Sequence, residues 1–329
     1  MLAAIVGGRL QGLELACLAQ TAGWRTLLID RNAHVPARGL CDRFVQLDVR
    51  LAAVLDQALH AVDVVIPALE SQDALDRLTQ WCLERGVPLA FDPGAYAITR
   101  SKSVSNRLLA DLGIPIPEPW PRCGFPIVAK PDHASGSRGV VVLKSQDQAE
   151  TVFPNGFPDD GWVYQQFLSG PSYSLEVIGR PGDYQPLQVT ELLMDAAYDC
   201  KAVAVPCRLT DPKIHEIETI GLKIATALQL TGVMDVEVIL KGGAVKVLEV
   251  DARFPSQTPL AVYHATGCNM FQLLGEVFLN PNATRWRPSA PARGVILKHM
   301  RVTRGRLFIE GEHIMADAGP LRRVPEFFG

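Results

Sequence analysis

The sequence predicts an α/β protein that opens with a parallel sheet and continues into a strand-rich second part. Three observations carry that prediction. Short apolar runs alternate with helix-length amphipathic stretches over the first hundred or so residues, the pattern of βαβ units. A proline-rich link at 113–121 then interrupts the chain. Two strong strand patterns joined by Gly242-Gly243 dominate the second half. At 329 residues, 48% hydrophobic and 20% charged, the chain is long enough for two or three domains.

Taken in order, residues 3–6 read as a buried strand, 10–22 as a helix, 26–29 as a strand ending at Asp30, 51–59 as a helix and 62–66 as a strand. The turn after the first strand is Gly7-Gly8-x-x-x-Gly12, which lacks the G-x-G-x-x-G spacing of a dinucleotide site. Ser101-Lys-Ser opens a helix to about residue 112, and the prolines that follow force an extended connector. Residues 125–131 form a strand, 133–139 a small-residue loop and 140–143 a second strand, a hairpin whose tip can fold over a ligand. Strand patterns at 174–178 and 188–193 and a helix at 213–228 precede the last two strands.

Composition excludes several classes of function. Thirty-two Lys plus Arg against 35 Asp plus Glu give a net charge of −3, so no overall positive field holds nucleic acid or an anionic membrane. Seven scattered cysteines with no C-x-x-C pair argue against a zinc site or a disulfide framework and fit a reducing cytoplasm. The apolar N-terminus has no basic n-region and meets Gly7-Gly8 too early for a signal peptide or a membrane span. Neither G-x-S-x-G nor a His metal spacing is present, so nucleophilic serine or cysteine catalysis is not expected.

The stretch 233–253 carries the densest chemistry. Residues two apart on a strand share a face, so Asp235 and Glu237 lie together, as do Glu249, Asp251 and Arg253. With a Gly242-Gly243-Ala244 loop, Lys241 pairs with Val245, Glu237 faces Glu249 and Asp235 faces Asp251. The opposite face is then Val236, Val238, Leu240, Leu248 and Val250, a core stripe interrupted by Lys246. Carboxylates opposed across an antiparallel pair repel, so this face needs a cation or full solvation. Hard oxygen ligands at this density suit Mg²⁺; a solvated acidic face is the alternative. Lys102 opens a helix, where its charge opposes the macrodipole and a phosphate would resolve the conflict. Lys130 ends a strand, and the loop 134–139 offers hydroxyls and amides to phosphate oxygens, although it is not a Walker A motif.

A lysine before a small-residue hairpin, the segment Tyr164-Gln-Gln-Phe-Leu-Ser-Gly170, and Glu237 with Glu249-x-Asp251-x-Arg253 together resemble the ATP-grasp carboxylate–amine ligases. Met234-Asp-Val-Glu, Tyr198-Asp-Cys200, residues 6–12 and Asp251-Ala-Arg-Phe-Pro-Ser-Gln-Thr-Pro259 are similar to the branch that joins 3-methylornithine to the side-chain amine of lysine in pyrrolysine biosynthesis. The resemblance implies a Rossmann-like parallel-sheet domain at 1–98, a small ATP-grasp subdomain at 99–168 and a large one at 169–329. It implies ATP held by Lys102 and Lys130, by Ser135, Gly136 and Ser137 of a closing loop, and by Gln165, Gln166 and Leu168 at an adenine hinge. Glu237, Glu249 and Asp251 would carry Mg²⁺. Two departures stand out: the hinge is Gln-Gln where the family usually shows at least one Glu, and Ser172 occupies the place where related ligases often have a ribose-binding Glu.

The chemistry so implied is phosphorylation of a carboxylate by ATP, then attack of a neutral amine on the acyl phosphate, with Arg253 placed to stabilise the tetrahedral intermediate. The structural alternative for Arg253 is an ion pair with Asp251. Candidate substrate contacts are Gln11 and Glu70 at the parallel-sheet end, Glu176 or Glu191 on neighbouring strands, Asp199, and Ser256 and Gln257 after the acidic strand. The expected partners are small-molecule amino acids and a second copy of the chain, with no nucleic acid and no membrane. Another ATP-grasp amino-acid ligase of the D-alanyl type and a non-catalytic nucleotide-binding protein are the competing expectations. Residues 325–329 place two Phe near the end of the chain, where they would need a packing partner, and the branch's chains continue beyond that point.

Overall fold

The computed structural model describes residues 1–51, 55–280, 293–311 and 319–322. The chain opens with β1 (Leu2–Val6), α1 (Leu10–Thr21), β2 (Arg25–Asp30), β3 (Arg43–Gln46), α2 (Leu55–Ala58) and β4 (Val64–Pro67). These strands form a parallel sheet in the order β3-β2-β1-β4. The apolar runs of β1 and β4 are buried throughout, as parallel strands covered on both faces must be. Strand β3 was not expected, because RFVQ is too short and polar to show a period. The helix expected at 51–59 is described from Leu55 to Ala58, and residues 52–54 lie outside the described residues, as does 325–329.

Three helices lead into the second part: α3 (Gln72–Arg85), α4 (Pro93–Thr99) and α5 (Lys102–Asp111). Asp92 caps α4 by accepting the Ala95 amide, and Ser101 caps α5 by accepting that of Val104. A small antiparallel sheet follows, with β5 (Ile127–Pro131) between β6 (Val141–Leu143) and β7 (Trp162–Gln166); α6 (Gln146–Val152) joins β6 to β7. The proline-rich connector forms no helix and lies beside β7, where the Trp120 amide donates to the Tyr164 carbonyl.

A larger antiparallel sheet completes the molecule. Its elements are β8 (Ser172–Arg180), β9 (Asp183–Met194), β10 (Cys200–Val205), α7 (Asp211–Leu228), β11 (Gly232–Lys241), β12 (Ala244–Asp251), α8 (Thr258–Thr266), α9 (Met270–Leu279), β13 (Val295–Thr303) and β14 (Arg306–Glu310). The seven strands run in the order β12-β11-β8-β9-β10-β13-β14. One core runs from the parallel sheet and α1 through Leu260, Phe271 and Leu274 to Ile178 and Val233 of the large sheet. The small sheet has its own core, which includes Cys123, Ile127 and Leu143.

Candidate active site between the two antiparallel sheets and the parallel sheet

The β11–β12 hairpin pairs Asp235 with Asp251 and Glu237 with Glu249, as the pattern predicted, but by a different route. Its turn is the two-residue Gly242-Gly243, so Lys241 pairs with Ala244 rather than Val245. Both glycines have positive φ, +57 and +84, which two-residue hairpin turns require and glycine meets without strain. A bulge between Glu237 and Val238 then takes up one residue and restores the register. In consequence Val247, not Leu248, joins Val236, Val238 and Val250 in the core, and Leu248 lines a cavity instead. Lys246 reaches the Ile116 carbonyl at 3.2 Å rather than interrupting the core.

Three cavities meet at this hairpin, and Glu249 lines all of them. The first, of about 300 Å³, lies between the small sheet and the hairpin. Lys102, Lys130, Ser137, Gln165, Gln166, Leu168 and Ser172 border it, beside the apolar Val128, Ile239 and Leu248. The second, of about 120 Å³, is walled by the four hairpin carboxylates, Arg253, Ser256, Gln257 and the loop Ser135, Gly136 and Ser137. The third, of about 630 Å³, opens towards the ends of β1, β2 and β4, with Gly7, Gln11, Asp30, Glu70, Arg138 and Arg253 on its walls.

Charge in this region is paired. Lys102 Nζ lies 2.8 Å from Glu249 Oε1 and donates to the Ala134 carbonyl at 2.5 Å. The helix-end conflict is eased by Asp132, missed in the sequence, whose carboxylate accepts from the Ser103 amide at 2.7 Å and the Ser101 hydroxyl at 2.8 Å. Burial pulls the Lys130 ammonium below its ordinary pKa, opposed by Glu249 and Glu237. Arg253 bridges Asp251 at 2.8 Å and Glu70 at 3.0 Å, so the ion pair with Asp251 is present and Glu70 is drawn into the same group. Burial works against the Arg253 charge, but Asp251, Glu70 and Asp235 outweigh it and raise its pKa. Burial, together with neighbouring carboxylates, also lifts Asp235 and Asp251 above the ordinary aspartate value.

Glu237 and Glu249 face one another on the wall of the first cavity and present hard oxygens, a donor set that fits Mg²⁺. Asp251, expected with them, is held by Arg253, and among the described residues no three acidic, His or Cys side chains converge as a ready cage. Mg²⁺ commonly binds through one or two carboxylates plus phosphate oxygens, so two suffice.

Other expected contacts take different places. Gln11 donates its side-chain amide to the Phe254 carbonyl, and Asp199 pairs with Lys201 at 2.7 Å without lining any of the three cavities. Glu191 is engaged by Arg208 at 2.6 Å. Glu176 is fully buried opposite Asp235, and burial pushes its carboxyl up to about 7. After β1, Asp30 accepts the Gly8 amide at 2.8 Å. The loop tip reaches across the site: Ser135 donates to Glu70, and Ser137 donates to the Tyr198 carbonyl at 3.2 Å. Tyr198 lacked any helical or strand period to mark it, yet it borders both the first and second cavities.

A parallel-sheet domain set against two antiparallel sheets, with a nucleotide-sized slot between those sheets, is the architecture of the ATP-grasp enzymes, and the ATP-grasp domain profile matches residues 99–257. An ADP complex of N5-carboxyaminoimidazole ribonucleotide synthetase superposes with a TM-score of 0.75 at 18% identity, over 90% of this chain and 80% of that one. The biotin carboxylase domain of the Hydrogenobacter thermophilus 2-oxoglutarate carboxylase, solved with MgADP and bicarbonate, gives 0.74 at 14%, over 86% and 70%. The 3-methyl-D-ornithine–L-lysine ligase of Methanosarcina mazei is 31% identical over 95% of this chain and 81% of its own length. That of Methanosarcina barkeri is 32% identical over 83% and 72%. The chain belongs to this family of ATP-grasp ligases, and it is an enzyme that forms carbon–nitrogen bonds.

Proposed function

We propose that the protein joins the carboxylate of 3-methyl-D-ornithine to the ε-amine of L-lysine at the expense of ATP, in pyrrolysine biosynthesis. The observation that carries the proposal is the 31% identity to the Methanosarcina mazei ligase over 95% of the chain. The division of labour is 1–98 for the substrate-facing sheet, 99–168 for the small ATP-grasp part and 169–329 for the large one. ATP occupies the 300 Å³ slot, its adenine between Leu248 and the Gln165–Leu168 segment and its phosphates towards Lys102 and Lys130. Glu237 and Glu249 would hold Mg²⁺, which when bound would supply neutralisation of phosphate charge.

The ornithine carboxylate attacks the γ-phosphorus, ADP leaves, and an acyl phosphate remains. The neutral lysine amine attacks the acyl carbon, phosphate leaves with the bonding pair, and the amine's proton passes to the departing phosphate to give the amide and hydrogen phosphate. Arg253 sits where the oxyanion forms, beside Ser256 and Gln257. Ser135, Gly136 and Ser137 close over the phosphates, and Glu70 keeps Arg253 turned towards the 630 Å³ cavity that admits the amino acids. No protein nucleophile takes part in this scheme. Among the described residues no helix is long and apolar enough to cross a membrane. The proposed location is the cytoplasm, whose reducing conditions suit the seven free cysteines. A homodimer belongs to the same proposal and is read by light scattering in solution.

The deciding experiment incubates the protein with ATP, Mg²⁺, lysine and D-ornithine or its 3-methyl form, and looks for the coupled mass. ADP release with other amino acids and no coupled product from this pair would move the chain to another amino-acid ligase. Thermal stabilisation by NAD and not by Mg²⁺ with ATP would remove the nucleotide assignment altogether.

A further inference from the structure

A helix of the parallel sheet reaches into this site from outside it. Glu14 lies in the middle of α1 and is fully buried. Its Oε1 accepts the Gln257 amide at 2.6 Å and its Oε2 accepts the Leu260 amide at 3.3 Å. Amides at the start of a helix have no partner within it, and Gln257, the N-cap residue of α8, offers no side-chain cap of its own. Glu14 supplies that cap from 243 residues away. One turn earlier on the same face of α1, Gln11 holds the Phe254 carbonyl. Two side chains of α1 therefore grip both ends of the turn 254–257.

That turn is strained and sits at the centre of the chemistry. Gln257 has φ +73 and ψ −44, a conformation costly for a residue with a side chain and kept only where the surroundings enforce it. It lines the 120 Å³ cavity together with Arg253, which immediately precedes the turn, and with Asp235, Glu237, Glu249 and Asp251.

We infer that Glu14 is a positioning residue of the ligase reaction: by capping α8 from the parallel sheet, it holds the turn in the form that aims Arg253 and Gln257 at the reacting groups. The inference rests on the proposed site and adds a residue that touches no ligand. Glu14→Asp withdraws the carboxyl by one methylene, whereas Glu14→Gln keeps a carbonyl oxygen for the Gln257 amide. Asp63→Ala serves as control: Asp63 accepts the Leu2 amide at 2.7 Å and lines none of the three cavities.

The readouts are kcat and KM for ATP with every amino-acid pair the wild type accepts, the melting temperature, and amide exchange at Gln257 and Leu260. Glu14→Asp is expected to lose about tenfold or more in kcat with KM for ATP within about twofold, since small misplacements of reacting groups are costly. Glu14→Gln stays within about threefold of wild type with exchange protection kept at Gln257, the amide its carbonyl oxygen still accepts, and Asp63→Ala lowers the melting temperature without touching kcat. A Glu14→Asp kcat within about twofold of wild type, or a loss that Asp63→Ala reproduces at equal melting temperature, overturns the inference. If Glu14→Asp does not fold, Glu14→Gln decides alone: protection at Gln257 kept while kcat falls about tenfold, or lost while kcat stays, overturns it. A wild type that ignores the ornithine–lysine pair but couples another overturns the substrate proposal and leaves this inference to be read on that other pair.

Discussion

Arg253 gathers the residue-scale chemistry, because one guanidinium neutralises acids from two different sheets, Asp251 of the hairpin and Glu70 of the parallel-sheet loop. Removing it leaves Asp251 and Glu70 without their shared cation and, on the proposed mechanism, takes away a charged donor to the oxyanion. Arg253→Met is expected to lower kcat about a hundredfold while KM for ATP stays within about threefold, because the adenine slot is built from other residues. Steady-state kinetics with varied ATP checks this, and a rise in KM matching the fall in kcat would place Arg253 in nucleotide binding instead. Glu14 offers a pH test. Burial, larger than the opposing pull of the Gln257 and Leu260 amides, raises its carboxyl from 4.5 to about 8. A raised folded-state value means that this group's stability is fully present below about 4.5 and is lost as pH rises towards about 8. Glu14→Gln, which does not titrate, should therefore gain in melting temperature relative to wild type across that window and hold a constant lead above it. Parallel curves from pH 5 to 9 would show that the carboxyl is not perturbed. The sequence carried a signal for Glu14, an acid inside the apolar run Leu13-Glu-Leu-Ala-Cys-Leu18, but nothing local says which distant amides it will cap.

At the scale of elements, the legible features were those set by period and local chemistry. The β1 run, the Ser101 cap, the β5–β6 hairpin and the facing acids of β11 and β12 all follow from residues a few positions apart. The bulge did not, because a two-residue turn with a bulge and a three-residue turn without one bring the same acids opposite one another. They differ only in whether Val247 or Leu248 meets the core, which packing decides. Gln11 went to a partner across the fold, Phe254, and Asp199 to Lys201 two residues on, for the same reason: side-chain type marks a polar contact but not its owner. The loop between β5 and β6 depends on backbone form as well as on its hydroxyls. Gly139 has φ +74, and a Cβ there would stand 2.9 Å from Pro131 Cγ. Gly139→Val should cost this loop about 1–2 kcal/mol of left-handed strain, which appears as roughly a tenfold rise in KM for ATP with little change in melting temperature. An unchanged KM would show that the loop does not close on the nucleotide.

At the scale of the molecule, the packing divides the chain differently from its sheets. The parallel sheet and the seven-stranded sheet share a continuous core through α1, α8 and α9, where Phe271 packs edge-on against Trp24 with ring centroids 5.1 Å apart. The small sheet keeps a separate core and meets the rest around the 300 Å³ cavity proposed for ATP. Separate cores predict that the first two units open together and that the small sheet moves against them, the motion that the proposed ATP clamp would need. Phe271→Ala removes a fully buried ring from the shared core and should cost about 3–5 kcal/mol. Hydrogen exchange followed by mass spectrometry reads where that cost falls. Peptides from β1–β2 and from β8–β9 should lose protection together, while those from β5–β6 keep their wild-type exchange and slow down when ATP and Mg²⁺ are added. Loss confined to β1–β2 would show instead that the parallel sheet is an independent domain, and it would cut the route by which α1 steadies the catalytic turn.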